Sequence, residues 1–487
     1  MNYLDLTISE IHQALVDKKV TSLELVKESI ARIKKDENNS YEATNFEKAI
    51  EIASKIDKVL PEEILKGIPY VAKDNYSTKG IETTASSNIL AGYVPTFDAE
   101  VIERLNKAGA ILVAKTTLDE LAMGGTGLSG HKGATSNPYD KERIIGGSSC
   151  GSCASVAKCD VPFSLGSDTG DSVRKPAGFG GLVGMKPTWG RISRFGLFPF
   201  APSMDTVGYF TRSVEDSAII TNLLSGHDDK DMSSSYRESE NYLEYLKKPN
   251  EKKKIAYFKS IIDCIEDKAI VDNFYDVIKK LEGEGYSVTN YDFPQELLNA
   301  LYPVYMVLSC SEATSNDANL DGVKFGIKPT GKAKTWEEYM MDARTNGFSP
   351  LIKRRFVIGS FSLLAENQEE LFKRAQKARR IIVDEMNKFF EKNDYLLLPV
   401  AKSVAPLIKE SSDKWNPHPN FVDNHLGLAN LGGFPSLTVP SGYEGDLPFG
   451  INMTARQFEE GNLFALGKDV ENITGLKNTS TKKRGIK

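Results

Sequence analysis

Two neighbouring stretches decide how this sequence reads: Gly146-Gly147-Ser148-Ser149-Cys150-Gly151-Ser152 and Ser164-Leu165-Gly166-Ser167-Asp168-Thr169-Gly170-Asp171-Ser172-Val173-Arg174. Both lie in a segment, 121–200, crowded with Gly, Ser, Thr and Pro between short apolar runs. Small residues let backbone approach backbone or ligand closely, and loops of this composition carry sites. Upstream, Val71-Ala72-Lys73-Asp74-Asn75 closes a short apolar run, IPYVAK. Taken singly, a Gly/Ser run reads as a flexible loop and a lone lysine as a solvated surface charge. The combination of Lys73, Ser148 and Ser172, in that order and spacing, is what points to chemistry.

A serine hydroxyl is a poor nucleophile until a base takes its proton, and a lysine is a base only when neutral. Burial disfavours the ammonium and lowers a lysine's pKa by up to several units. Lys73 at the end of an apolar run suits that requirement. A Ser-His-Asp hydrolase is the competing reading. The chain has five histidines, His12, His131, His227, His418 and His425, and no G-x-S-x-G elbow surrounds a candidate serine. Cys150-Gly-Ser-Cys153 reads in isolation as a redox pair or half a metal site. No second C-x-x-C and no histidine pair at ligand spacing accompanies it, which favours small buried side chains and no metal. There is no P-loop.

The lysine, the GGSS turn and the DTG-x-S turn resemble the amidase signature family in motif and spacing. The similarity continues through Lys186-Pro187-Thr188-Trp189-Gly190-Arg191 and Ser203-Met204-Asp205 and, more weakly, along nearly the whole chain. The resemblance implies a serine amidase with catalytic residues Lys73, Ser148 and Ser172. Ser148 would follow a cis peptide bond and pass the Ser172 proton to Lys73. It implies an oxyanion hole from the backbone amides of Thr169, Gly170 and Asp171, with Asp168 and Arg174 bracing the turn. The fold implied is α/β: a large, mixed, twisted central sheet covered by helices on both faces, with a smaller, mostly helical insert.

Within the family the sequence is most similar to the A subunits of aminoacyl-tRNA amidotransferases. The carrying segments are 185–218 (MKPTWGRISRFGLFPFAPSMDTVGYFTRSVEDSA), 311–326 (SEATSNDANLDGVKFG), 353–361 (KRRFVIGSF) and 430–442 (NLGGFPSLTVPSG). That likeness implies a glutaminase supplying ammonia to convert Glu-tRNA(Gln), or Asp-tRNA(Asn), to the amide form. Glutamine would be held by Tyr305, Arg354 and Asp423. Arg354 stands between Lys353 and Arg355, and its selection rests on register against a reading as surface cation. The implied partners are a tRNA-binding B subunit together with a small C subunit, in a heterotrimer. No cofactor is expected on this chain; ATP and Mg²⁺ would belong to the partner. The alternatives are a free-standing amidase and a non-catalytic assembly subunit. Three departures from the family pattern stand out. Asp171 replaces the glycine usual before the nucleophile and is expected to face outward, toward Lys175 or Arg174. Cys150 replaces a glycine. Leu128 removes a polar side chain from the stretch 123–129.

The rest of the sequence reads as an ordinary globular protein. The 487 residues carry a net charge of −5, 40% hydrophobic and 26% charged residues. That balance gives no sign of a nucleic-acid or membrane binder acting through bulk charge. The N-terminus lacks a signal-like pattern, no run is apolar enough to span a membrane, and the five cysteines are an odd number. These features read together as a cytoplasmic chain without a disulfide framework. One domain over 1–487 is expected, with a helical N-terminal segment (about 1–60) and an insert (about 230–390) covering the site. Predicted elements include two amphipathic helices in 7–35, a helix at 46–58 and strand GIPYVAKD. Further on come helix 98–108, strand AILVAK, strand KKIAYF, helix 268–283, a long helix at 366–393 and strand YLLLPV. The basic tail KNTSTKKRGIK reads as frayed.

Overall fold

The computed structural model describes residues 2–328, 331, 333–411 and 423–486. Its strands, in chain order, are β1 (Tyr41–Thr44), β2 (Pro69–Lys73), β3 (Ile111–Thr116), β4 (Ser136–Asn137), β5 (Asp140–Ile144), β6 (Ser164–Asp168) and β7 (Val183–Lys186). They continue with β8 (Thr206–Thr211), β9 (Lys254–Tyr257), β10 (Ser287–Asn290), β11 (Tyr395–Pro399), β12 (Ser436–Glu444) and β13 (Leu447–Ala455). Apart from the small β4–β5 pair, they form an 11-stranded sheet in the order β1-β3-β2-β6-β8-β7-β12-β13-β11-β9-β10. β3, β2 and β6 are parallel, β6 through β11 run antiparallel in turn, and β9 and β10 return to parallel pairing. The mixed sheet matches the sequence expectation.

Both faces of the sheet are buried, which is why the central strands read as continuous apolar runs. Side chains alternate across the pleat. Tyr70 and Ala72 of β2 join one core with Leu112, Leu165, Val207 and Tyr209, whereas Val71 joins a second with Val113, Val173 and Phe210. The helices match closely at the N-terminal end. Ile8–Val16 and Ser22–Ile33 each begin with a capping box, Thr7 with Glu10 and Thr21 with Glu24. Helices Phe46–Ser54, Glu100–Lys107 and Lys268–Gly283 lie where expected.

Three differences have physical causes. Within 230–390 the expected strand and helix, β9 and Lys268–Gly283, are followed by a strand the sequence did not signal, β10, and the two strands extend the main sheet at its far edge. The helices that line the candidate site are Gln295–Asn316 and Pro350–Leu363. The long helix begins only at Arg374, after a π-helical turn, Glu369–Lys373. The basic tail is not frayed. Asn478 N–H bonds Arg212 O (2.7 Å), Thr481 N–H bonds Ala157 O (3.1 Å), and Ser480 is fully buried.

Arg212 ties both ends of the chain to the sheet. Its buried guanidinium donates to Leu4 O (2.8 Å), Leu6 O (2.7 Å), Val161 O (3.1 Å) and Asn478 Oδ1 (2.9 Å). Arg212→Met would leave these acceptors buried without partners. The expected loss of unfolding free energy is about 3 kcal/mol or more, read from urea denaturation; a loss below about 1 kcal/mol would show that water replaces the guanidinium.

Candidate active site

The site is built where parallel strands end, the place where open α/β sheets bind ligands. β2 delivers Lys73 and β6 delivers Asp168, and the register pairs Ala72 with Leu165. Lys73 is fully buried, and its side-chain nitrogen lies 2.7 Å from Ser148 Oγ, 2.9 Å from Ser167 Oγ and 3.5 Å from Ser167 O. Burial is the main cause that lowers its pKa to about 7; the carboxylates of Asp119, Asp168 and Asp205 offset part of the effect. This geometry suits a neutral amine. With Ser167 Oγ and O on one side to accept its N–H groups, such an amine has Ser148 Oγ in reach either as a further acceptor or, when neutral, as the source of a proton.

Ser148 follows a cis Gly147–Ser148 peptide bond and precedes helix Cys150–Ala157. Residue 147 must be glycine here: a Cβ would stand 1.9 Å from Asp119 Oδ2. Asp119 accepts from Thr126 N (3.2 Å), Gly127 N (2.9 Å), Ser129 N (3.1 Å) and Ser129 Oγ (2.8 Å), while its own N–H bonds Ser148 O (3.1 Å). It therefore fixes the glycine loop and the Ser148 backbone together. Ser149 stitches this turn to the next. Its N–H bonds Ser172 O (3.2 Å) and its hydroxyl bonds Ser167 O (3.1 Å).

The turn 169–173 links β6 to helix Arg174–Gly180 and is held by one buried ion pair. Arg174 Nε and Nη2 donate to the two Asp168 oxygens at 3.1 and 3.0 Å, with both side chains fully buried. Arg174 also donates to Gly170 O (2.8 Å), Asn430 Oδ1 (2.6 Å) and Leu426 O (2.7 Å); Asp168 also accepts from Val173 N (3.0 Å) and Asn430 Nδ2 (2.9 Å). Burial alone would raise the Asp168 pKa, but the Arg174 charge and these hydrogen bonds hold it at about 2. The Thr169 hydroxyl bonds Asp205 Oδ1 (2.6 Å). Among the described residues no protein acceptor takes the backbone N–H of Gly170 or Asp171. Ser172 is 4% exposed, and among the described residues its hydroxyl makes no hydrogen bond, so the contact with Ser148 is not closed. Such contacts commonly tighten only around substrate.

A cavity of about 180 Å³ opens on this turn, lined by Gly170, Asp171, Lys175, Tyr305, Arg355 and Asn424 among others. Tyr305 packs on Gly170 so closely that a Cβ there would meet its ring at 3.1 Å. The arginine that lines the cavity is Arg355, not Arg354. One helical residue turns a side chain by about 100°, so the two neighbours face different surroundings and it is Arg355 that reaches this cavity. Arg355 Nε is buried without a partner, and its guanidinium lies 5.7 Å from the Phe200 ring centroid. Asp423 sits at the margin. Its carboxylate pairs with Lys402 (3.1 Å), and its carbonyl accepts from Lys175 (2.8 Å). Asp171 pairs with Lys175, as expected. Neither Gly170 nor Asp171 takes a positive φ, so the turn does not call on aspartate's tolerance for that region. Leu128 packs beside Ile144, Phe179 and Ala405. Cys150 donates to Thr117 O (3.5 Å), and burial pushes its thiol up to about 12. All five cysteines are free thiols.

Sequence reading missed Ser167, Asn75 and Asp119. Asn75 Nδ2 donates to Ser167 Oγ (3.0 Å), completing the shell of Lys73. Ser167 was visible inside the quoted stretch, one residue before Asp168. Asp119 carried no local signal. Among the described residues, no group of three His, Cys, Asp or Glu side chains is placed to hold a metal, and no helix is long and apolar enough to cross a membrane.

Known proteins resemble this chain along nearly its full length. The family model described as Amidase matches residues 24–464. The A subunit of glutamyl-tRNA(Gln) amidotransferase from Pediococcus pentosaceus is 35% identical over 479 residues, covering 97% of this chain and 98% of that one. The solved structure of the corresponding A subunit from Thermotoga maritima superposes with a TM-score of 0.78 at 32% identity, covering 96% and 95% of the two chains. A peptide amidase from Stenotrophomonas maltophilia superposes with a TM-score of 0.81 at 25% identity, covering 97% and 98%. The chain belongs to the amidase family.

Arg174→Met would strand a buried carboxylate and is expected to cost about 3–5 kcal/mol of stability, measured by denaturant unfolding. Asp168 has a depressed pKa. The stability it contributes is therefore present above its ordinary value of 3.8 and is lost as pH falls through about 2.

Proposed function

We propose that this amidase is the glutamine-hydrolysing component of a tRNA-dependent amidotransferase. The observation that carries the chemistry is the buried Lys73 amine at 2.7 Å from Ser148 Oγ, poised near neutral pH beside the turn that presents Ser172. The full-length likeness to A subunits of glutamyl-tRNA(Gln) amidotransferases supports the substrate and the setting.

In this reading, Ser172 Oγ attacks the side-chain amide carbon of glutamine. Its proton passes to Ser148 Oγ, whose own proton passes to Lys73 Nζ. The carbonyl oxygen becomes an oxyanion facing the amides of the Thr169–Asp171 turn, where each well-placed donor lowers the barrier by roughly 3–4 kcal/mol. Collapse returns a proton through Ser148 to the leaving nitrogen and releases ammonia. Water then cleaves the glutamyl-enzyme along the same relay. Arg355, half-buried in the cavity lining with an unsatisfied Nε, suits the substrate α-carboxylate. Tyr305 lines the same space. Asp423 suits the ammonium at its margin. The protein works within a multi-subunit complex. Its partners are a tRNA-binding B subunit, which holds ATP and Mg²⁺ and receives the ammonia, and a small C subunit. Glu-tRNA(Gln) is the acceptor.

The likeness to a peptide amidase keeps a free-standing amidase as the second reading. Glutamine hydrolysis by the purified chain, alone and then with B and C subunits, ATP and charged tRNA, separates the two. Strong stimulation by the full mixture is expected; brisk turnover of simple amides that ignores the partners would select the second reading. Ser172→Ala and Lys73→Ala should each reduce turnover by at least about a thousandfold while leaving thermal unfolding near the parent. Because Lys73 must be neutral, kcat/KM should rise with pH through about 7 and then level. A flat profile between pH 6 and 8 would remove lysine from the relay.

A further inference from the structure

The residue directly before Ser172 is an aspartate where the family pattern has glycine, and it lines the cavity. A carboxylate beside a developing oxyanion raises its energy, by an amount that grows as water is excluded. The aspartate therefore poses a problem for that oxyanion, and helix Arg174–Gly180, which follows the turn, carries a matching cation. Lys175 N–H bonds Asp171 O (3.0 Å), its ammonium pairs with Asp171 Oδ2, and it donates to Asp423 O (2.8 Å). The two side chains are only 16% and 18% exposed, so solvent screens the pair incompletely.

No neighbouring cation is available for this task in the same way. Arg174 is committed to Asp168, Gly170 O, Leu426 O and Asn430. Arg355 stands in the cavity, where it is needed for the substrate. Without Lys175, the Asp171 carboxylate would be left facing either the turn's free amides or Arg355. The first position opposes the oxyanion; the second occupies the carboxylate subsite.

We propose that Lys175 is a positioning residue that holds the Asp171 carboxylate away from the oxyanion-binding amides, so that aspartate is tolerated at the place of the family glycine. The inference rests on Ser172 being the nucleophile. It makes Asp171 and Lys175 a coupled pair. The aspartate is harmful only when unpaired, and the lysine is required only while the aspartate is present.

The experiment is a double-mutant cycle on glutamine hydrolysis by the assembled complex, with Ser172→Ala as the blank and thermal unfolding of each variant recorded. Lys175→Met should lower kcat by about tenfold or more. Asp171→Asn supplies the other single-variant arm, and the cycle reads the coupling between the two positions rather than the absolute kcat of that arm. The double variant Asp171→Asn/Lys175→Met should recover most of the loss, and Lys175→Arg should behave far better than Lys175→Met. A lysine serving only as a strut to Asp423 O would give a loss that Asp171→Asn does not repair, and that result overturns the proposal. So does an unchanged kcat in Lys175→Met. A large KM increase in Asp171→Asn alone would overturn it too, by making the aspartate a direct substrate contact. Should Lys175→Met fail to fold, the comparison of Lys175→Gln with Asp171→Asn/Lys175→Gln decides the same question. Turnover that survives Ser172→Ala would sink the amidase mechanism itself, a different failure from Ser172-dependent turnover that ignores Lys175.

Discussion

The buried ion pair of Asp168 with Arg174 is the constraint on which the site depends. Two full charges at zero exposure are tolerable only with good geometry and with every remaining donor and acceptor matched. Meeting that demand recruits Gly170 O, Leu426 O, Asn430 and the N–H of Val173, drawn from separate stretches of chain. The turn that presents Ser172 takes its shape as a by-product. With Gly170 O and Val173 N–H both fixed, the few atoms between them have little freedom, and the amides of Gly170 and Asp171 are left facing the cavity.

Buried lysines in this fold differ in the partners that surround them. Lys73, Lys115 and Lys186 are all fully buried. Lys115 has a carboxylate, Asp74, at 3.0 Å, and further acceptors in Tyr76 O and Thr83. Among the described residues, Lys73 meets only Ser148 and Ser167, and Lys186 bonds only Pro187 O. Burial lowers both of the latter to about 7, aided at Lys186 by the adjacent Arg174 charge. What separates Lys73 from Lys186 is the hydroxyl within reach. An equally depressed lysine without a serine beside it has nothing to relay.

The parts of the site readable from sequence were those encoded in one short stretch. Ser148, Asp168, Ser172 and Arg174 lie within or beside Gly-rich turns, and the pairing of Asp171 with Lys175 followed from having a cation four residues further on. Lys73 needed the further inference that its strand is buried. Contacts made across the sheet or from distant helices were harder. Asp119 acts through a loop whose path depends on β3 and on the cis bond at Ser148. Arg355 and Arg354 differ only in the facing of their helix, which is set by packing of Pro350–Leu363 on Gln295–Asn316. Charge and composition marked the C-terminal tail as loose, whereas its order comes from Arg212 and the end of helix Cys150–Ala157, partners far away in the chain.

That guanidinium also sets an order of events in folding. Arg212 holds the carbonyls of Leu4 and Leu6 on one side and the Asn478 side chain on another. The first two partners lie 208 and 206 residues before it and the last 266 residues after it. Until Asn478 docks, the cleft around the cation lacks one of its walls. Contacts of such long range close late, after local elements have formed, so the intermediate without that wall is the one most open to aggregation and to proteases.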